Sequence, residues 1–341
     1  MSSNKKDKDY VPILKTIKDV NTEAKEIVNQ ERSRKQLGLI TRFSKLNIAV
    51  GKFFRFGKVI LISGLSGHGK SAILNMILSD FTNKRLNHDF KEDVVIVHNS
   101  FEMLPVDEVL RSISTKVQKS SLNLLSAEFN SEQGKYNQIS DLEFQAISDA
   151  LDENEDIDHY YFDEPTNMAG IFDNITLSYE YYKKKYNKTD TDPKPKFVIA
   201  IDHTLLVNAG KGESVIDVMT IIAKNAIYLK KRGYMVILVG QFNGEIEKAE
   251  RIKNATLHFP IKSDIYAQGQ LYNACDIVLT IHQPELLGIL EYGLNKLITS
   301  GLVHLQILKQ RFGKVGSIWL KNEFHRGQLT QFEPESKLVK K

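Results

Sequence analysis

The stretch Val59-Ile60-Leu61-Ile62-Ser63-Gly64-Leu65-Ser66-Gly67-His68-Gly69-Lys70-Ser71 sets a short aliphatic run against a glycine-rich turn ending in Lys-Ser. A continuous apolar run of this length reads as a strand buried on both faces. Residues 64–71 fit the spacing G-x-x-x-x-G-K-[ST], and Ser71-Ala-Ile-Leu-Asn-Met-Ile-Leu-Ser-Asp-Phe81 behind them has helical composition. In that context Gly64, Gly67 and Gly69 let the backbone wrap phosphate oxygens, and the helix start offers its free N–H groups to the anion. Lys70 reaches the outer phosphates and the Ser71 hydroxyl is placed to ligate Mg²⁺. A plain glycine-rich turn is the alternative, and the flanking strand and helix argue against it.

Working outward, four more runs have the same character: 94–98 (VVIVH), 197–201 (FVIAI), 235–239 (MVILV) and 277–281 (IVLTI). Amphipathic segments at 70–82, 105–118, 141–152, 167–186 and 214–232 read as the helices between them. Strands alternating with helices predict a doubly wound, mostly parallel α/β sheet. Residues 302–309 and 316–321, flanking Arg311-Phe-Gly-Lys-Val315, read as a C-terminal β-hairpin. Toward the N-terminus, Val11, Leu14, Ile17, Val20, Ala24, Ile27 and Val28 form a stripe that predicts a helix over 10–37. Residues 1–9 read as a disordered tail and 334–341 as a basic one, which leaves 38–333 as the main domain. Residues 120–140, 152–165 and 243–262 read as loops or insertions.

Composition narrows the function classes. The 341 residues include 42% hydrophobic and 26% charged, as in an ordinary globular protein, and the net charge of +4 permits a nucleic-acid partner. No apolar run is long enough for a membrane span. The single cysteine, Cys275, permits no intrachain disulfide, so a reducing, cytoplasmic compartment is expected.

Three polar residues follow the ends of other predicted strands. Asp202 ends FVIAI, where a carboxylate holds Mg²⁺ through water. Asp163, after Tyr160-Tyr161-Phe162, competes for that role. Glu102 follows VVIVH and is placed to orient or deprotonate an attacking water, although a glutamate before Pro105 also suits a plain helix start. Gln241 ends MVILVG, where an amide senses a γ-phosphate or simply leaves a strand. Ligands of open α/β sheets bind along the carboxyl edge, so one nucleotide site collects all of these together with the glycine-rich turn. Lys309-Gln310-Arg311 lies far along the chain; its arginine reads either as a basic hairpin tip or as a residue supplied to a neighbour's phosphates.

The order of these motifs resembles the RecA-like helicase domain of DnaB-type replicative DNA helicases. The likeness starts at Gly38-Leu-Ile-Thr-Arg-Phe-Ser-Lys-Leu-Asn47 and runs through the glycine-rich turn, His98-Asn-Ser-Phe-Glu102-Met103 and Phe197–Val207. It continues at Val239-Gly-Gln241-Phe-Asn243, Ser263-Asp264-Ile265 with Asp276-Ile277-Val278, and Leu308-Lys309-Gln310-Arg311-Phe-Gly313. The resemblance implies an ATP- and Mg²⁺-dependent DNA helicase with Glu102 and Gln241 at the reacting phosphate. It implies that Arg311, helped by Lys309, is a finger inserted into the neighbouring subunit's site. It also implies a homo-oligomeric, hexameric ring on single-stranded DNA, 5′ to 3′ travel, a primase or loader as partner, and a place in the replisome, in host cytoplasm if phage-encoded.

Loops 243–262 and 283–301 are expected to face the channel, with Arg251, Lys253 and Lys262 as DNA-binding residues. Departures from the family pattern are His203 for a usual tyrosine, Tyr266 for an arginine and Gly244 for a basic residue. The 37 residues before Gly38 are too few for the family's primase-meeting N-terminal domain, so 10–37 reads as a linker helix that docks on an adjacent subunit. Two other activities remain open: a RecA-like recombinase that forms filaments, and a weakly hydrolysing ATP-bound assembly or loader partner.

Overall fold

The structure, a computed structural model, describes residues 14–33, 35–254 and 257–333. The expected tails at 1–9 and 334–341, and the first residues of the predicted N-terminal helix, lie outside them. The chain divides into two units, Met1–Leu37 and Gly38–Lys341. Among the described residues no helix is long and apolar enough to cross a membrane.

The first unit contains helix α1, Ile17–Arg32. It is shorter than the 10–37 expected from the apolar stripe. A capping box sets its start: the Thr16 side chain accepts from the Asp19 N–H while Asp19 accepts from the Thr16 N–H at 2.8 Å. Ile17, Val20, Ile27 and Val28 are all exposed.

The second unit is built on a nine-stranded sheet. Its strands are β1 Lys58–Gly64, β2 Val94–Ser100, β3 His159–Phe162, β4 Lys196–Asp202, β5 Met235–Gln241, β6 Ile277–His282, β7 Leu302–Gln310, β8 Gly316–Glu323 and β9 Gln328–Phe332. Their spatial order is β9-β8-β7-β6-β1-β5-β4-β2-β3. The six strands from β6 to β3 run parallel, and β7, β8 and β9 add antiparallel. The helices are α2 Lys70–Thr82, α3 Pro105–Val117, α4 Asp141–Asp152, α5 Met168–Lys185 and α6 Val215–Lys231.

Alternation along the central strands supplies two cores. Ile60, Ile62, Val198, Ala200, Ile237 and Val239 pack with Ile73, Leu74 and Ile77 of α2. Their neighbours Val59, Leu61, Ile199, Ile201, Val236 and Leu238 pack on the other face with Ile171 and Ile175 of α5 and Val218 and Ile222 of α6. Each such aliphatic side chain contributes roughly 1.5–3 kcal/mol on burial, which is why the central runs tolerate no polar alternation.

The sheet exceeds the sequence reading at both edges. Segment 152–165, expected to be a loop, contains β3, whose four residues are all only half-buried. An outermost strand covered on one side needs no aliphatic run, and His159-Tyr-Tyr-Phe162 carries an aromatic strand pattern instead. At the other edge β9 completes a meander with the expected hairpin. Within 120–140 lie a short helix, Ser121–Leu124, and the paired strands Phe129–Asn130 and Lys135–Tyr136. The loop after β5 contains the helical turns Gly244–Glu247 and Ala249–Lys253.

Candidate nucleotide site

The turn between β1 and α2 has the backbone its glycines allow. Gly67 (φ +77°) and Gly69 (φ +95°) are left-handed, and a Cβ on Gly69 would meet the Phe324 ring at 2.3 Å. Lys70 is buried and its Nζ donates to Leu65 O at 3.0 Å. Burial lowers its pKa, while the carboxylates of Glu102 and Asp202 oppose that shift. The ammonium therefore faces both acidic side chains that strand-end reasoning singled out.

Asp202 ends β4 and is fully buried. Burial pushes its carboxyl up to about 6, against a hydrogen bond with Ser71. This Ser71–Asp202 pair fits a divalent cation: a hydroxyl and a carboxylate share one position, and the desolvated acid gains from a positive charge. The β2–β4 register sets Ser100 opposite Asp202, and Phe101 N–H donates to Asp202 O at 2.7 Å. Glu102 follows directly. It lines a cleft of about 370 Å³ with Gly67, Gly69, Lys70 and Ser71. Asp163, the competitor, is exposed at the end of β3, with β2, β4 and β5 between it and β1.

Gln241 pairs in register with Gly64. Phe242 N–H donates to Gly64 O at 3.1 Å, Tyr266 N–H to Gln241 O at 2.9 Å, and Asn243 N–H to Asp264 O at 2.7 Å. The end of β5 is thus strapped on one side to the glycine-rich turn and on the other to residues 263–266. Such a strap couples the turn mechanically to the loop beyond Asn243.

A second contact joins the turn to the sheet. His68 Nδ1 accepts the Gln283 N–H at 3.0 Å, and its ring stacks on His282 at 5.3 Å between centroids. His282 lies 5.2 Å from the ring of His258, in the loop after β5. Burial, with help from Lys70, pushes His68 down to about 4, so the ring is neutral at pH 7. Sequence reasoning missed this stack because His68 occupies a free position of the motif and its partners lie about two hundred residues on.

Lys309 and Arg311 lie elsewhere. A register shift between Ile307 and Lys309 marks a bulge in β7, which re-aims the side chains after it. Lys309 Nζ donates to Tyr272 O at 2.7 Å, and Arg311 NH2 to Asn273 O at 3.1 Å. The Arg311 side chain is 44% exposed with its Nε 3.6 Å from Asp276. Neither residue lines the cleft beside Lys70.

The three expected DNA contacts part company. Arg251 is engaged within the chain: it pairs with buried Asp264 at 2.5 Å and donates to Phe259 O at 2.9 Å. Lys253 is exposed. Lys262 is exposed too, with its Nζ 5.0 Å from the Tyr272 ring, the same ring that carries Lys309 at 4.7 Å. The cleft also recruits Arg42, Arg111 and Phe324, none of which stood out in the sequence.

Comparison with known proteins agrees with this geometry. Residues 38–334 match the DnaB-like helicase C terminal domain, and the chain belongs to that family. Its fold is similar to the solved ATPase domain of a phage-type DnaB-like helicase: TM-score 0.69 at 18% identity, covering 92% of this chain and 98% of that one. It is similar also to a DnaB-like replicative helicase, solved in a study of its interactions with primase: TM-score 0.68 at 17% identity, covering 94% of this chain and 68% of that one. No curated protein sequence matches. The chain is therefore an ATP-dependent helicase domain with a RecA-like, mostly parallel sheet.

Proposed function

We propose that this member of the DnaB-like helicase C-terminal domain family is a Mg²⁺-ATP-driven motor that travels 5′ to 3′ along single-stranded DNA as a hexameric ring. Lys70 and the N–H groups of residues 67–71 hold the phosphates. Ser71 and Asp202 hold Mg²⁺, which neutralises phosphate charge. Glu102 takes the proton of the attacking water, and Gln241 reports loss of the γ-phosphate to the strapped loop. A neighbouring subunit supplies Arg311, steadied by Lys309, and helix α1 docks on that neighbour.

One observation carries the reading. Lys70, Ser71, Asp202 and Glu102 converge beside one cleft, while Arg311 stands half-exposed outside it. A site with its cation, metal ligands and base in one chain, and its finger turned outward, is completed by a second copy. For the DNA grip, exposed Lys253 supports the loop after β5. The tip of 283–301 presents apolar Leu290, Leu294 and Ile298 instead. Residues near the ring's edge would meet a primase or a loader.

The test is unwinding of a forked duplex with a free 5′ arm. Strand separation that needs ATP and stops with a non-hydrolysable analogue supports the motor. Strand exchange on open filaments, or ATP-dependent assembly without unwinding, contradicts it.

A further inference from the structure

We infer that His98, Glu108 and Asp202 form a second, buried cation site that takes a first-row transition-metal dication, Zn²⁺ or Mn²⁺ in chemical class. One ligand atom from each of the three lies within 4.8 Å of the other two. All three side chains are fully or almost fully buried. His98 Nε2, Glu108 Oε2 and Asp202 Oδ1 are enclosed without a hydrogen-bond partner. Buried polar atoms are rarely left unpaired, and three in one cluster call for a shared cation.

The fold brings them there from distant positions. In the β2–β4 register His98 lies opposite Ala200 and Ser100 opposite Asp202, so His98, Ser100 and Asp202 project to one face. Helix α3 lays Glu108 across that face, its other oxygen accepting from Ser100 Oγ at 2.5 Å. Glu108 Oε2 is 3.3 Å from His98 Nδ1, and His159 Nε2 lies 3.3 Å from the same nitrogen, so the imidazole is held in place.

An imidazole with two carboxylates selects borderline ions over Mg²⁺ or Ca²⁺, which prefer all-oxygen sites. Three protein ligands leave a position for water. A cavity of about 250 Å³ lined by Asn75, Glu108, His159 and Tyr161 gives a route in. An ion there fixes the carboxylate that also meets Ser71. The site is independent of the motor reading, because its ligands are set by the β2–β4 register and α3 whether or not the chain moves on DNA.

The experiment is Co²⁺ titration of the chelator-stripped full chain in millimolar Mg²⁺, followed by visible absorption. One equivalent, with the intense band of low-coordinate nitrogen–oxygen ligation and displaced by Zn²⁺, is expected. His98→Gln should abolish the band, Glu108→Gln should weaken affinity about tenfold or more, and Ser71→Ala should keep it. Circular dichroism checks that each variant is folded, and the near-isosteric Glu108→Gln decides if His98→Gln is not. No band in the wild type means that a proton or a buried water satisfies the three atoms, and overturns the site. A band unchanged in Glu108→Gln overturns it as well.

Discussion

Glu102 Oε2 lies 3.6 Å from His203 Nε2, across the ends of β2 and β4. Burial lowers the His203 pKa, so the ring is neutral at pH 7 and does not cancel the charge of its neighbour. The contact orients Glu102 and leaves it a base. Glu102→Gln should lower ATP turnover by about 10²–10⁴ with nucleotide affinity retained, while His203→Phe should stay within roughly tenfold of wild type. Turnover and nucleotide titration read both; an equal loss in the two variants would transfer the base role to His203.

Arg311 should act only in trans. Lys70→Ala and Arg311→Ala proteins should each be silent, because a finger of this kind is worth about 10³–10⁵ in rate. Mixed together, they form some sites with an intact Lys70 facing an intact Arg311, and turnover should return in part. Activity equal to the sum of the two parents would remove the assignment.

Arg251 should report on stability more than on DNA. Its guanidinium satisfies Asp264, which is fully buried, so Arg251→Ala leaves an unpaired buried carboxylate. The expected cost is about 3–5 kcal/mol by urea unfolding. Lys253→Ala should leave stability alone and reduce the salt dependence of single-strand binding by about one unit of slope. The opposite pattern would return Arg251 to the DNA.

His304 makes the fold acid-sensitive. It is fully buried against Phe259 and Trp319, with Tyr292 OH 3.0 Å from Nδ1 and Ser317 Oγ 2.8 Å from Nε2. Burial pushes it down to about 3. The unfolded chain takes up a proton near pH 6.5 while the folded one does not, so stability is full above 6.5 and falls as pH drops toward 3. From pH 7 to 5 the loss from this residue is about 2 kcal/mol. Urea midpoints for wild type and His304→Asn should diverge less at pH 5 than at pH 7, because the variant lacks this term; a constant gap would contradict it.

Much of this was legible in the sequence. Strands buried on both faces leave continuous aliphatic runs, and β1, β2, β4, β5 and β6 stand within two residues of where those runs predict. The carboxyl-edge rule then collected Lys70, Asp202 and Glu102 correctly, as their mutual electrostatics record. What escaped lacks a local signal. β3 is a half-covered edge strand, and α1 begins at a capping box inside the apolar stripe. Arg251 looks like any loop cation until Asp264, thirteen residues on, folds back to it. The His98–Glu108–Asp202 group exists only through strand register.

The most direct test of the motor is steady-state ATP hydrolysis by the full chain with and without single-stranded DNA, using Lys70→Ala as the blank. Hydrolysis strongly stimulated by DNA and absent in the variant is the predicted result. ATP binding with negligible hydrolysis under both conditions would contradict it, and would leave Glu102 and Arg311 in place without their chemistry.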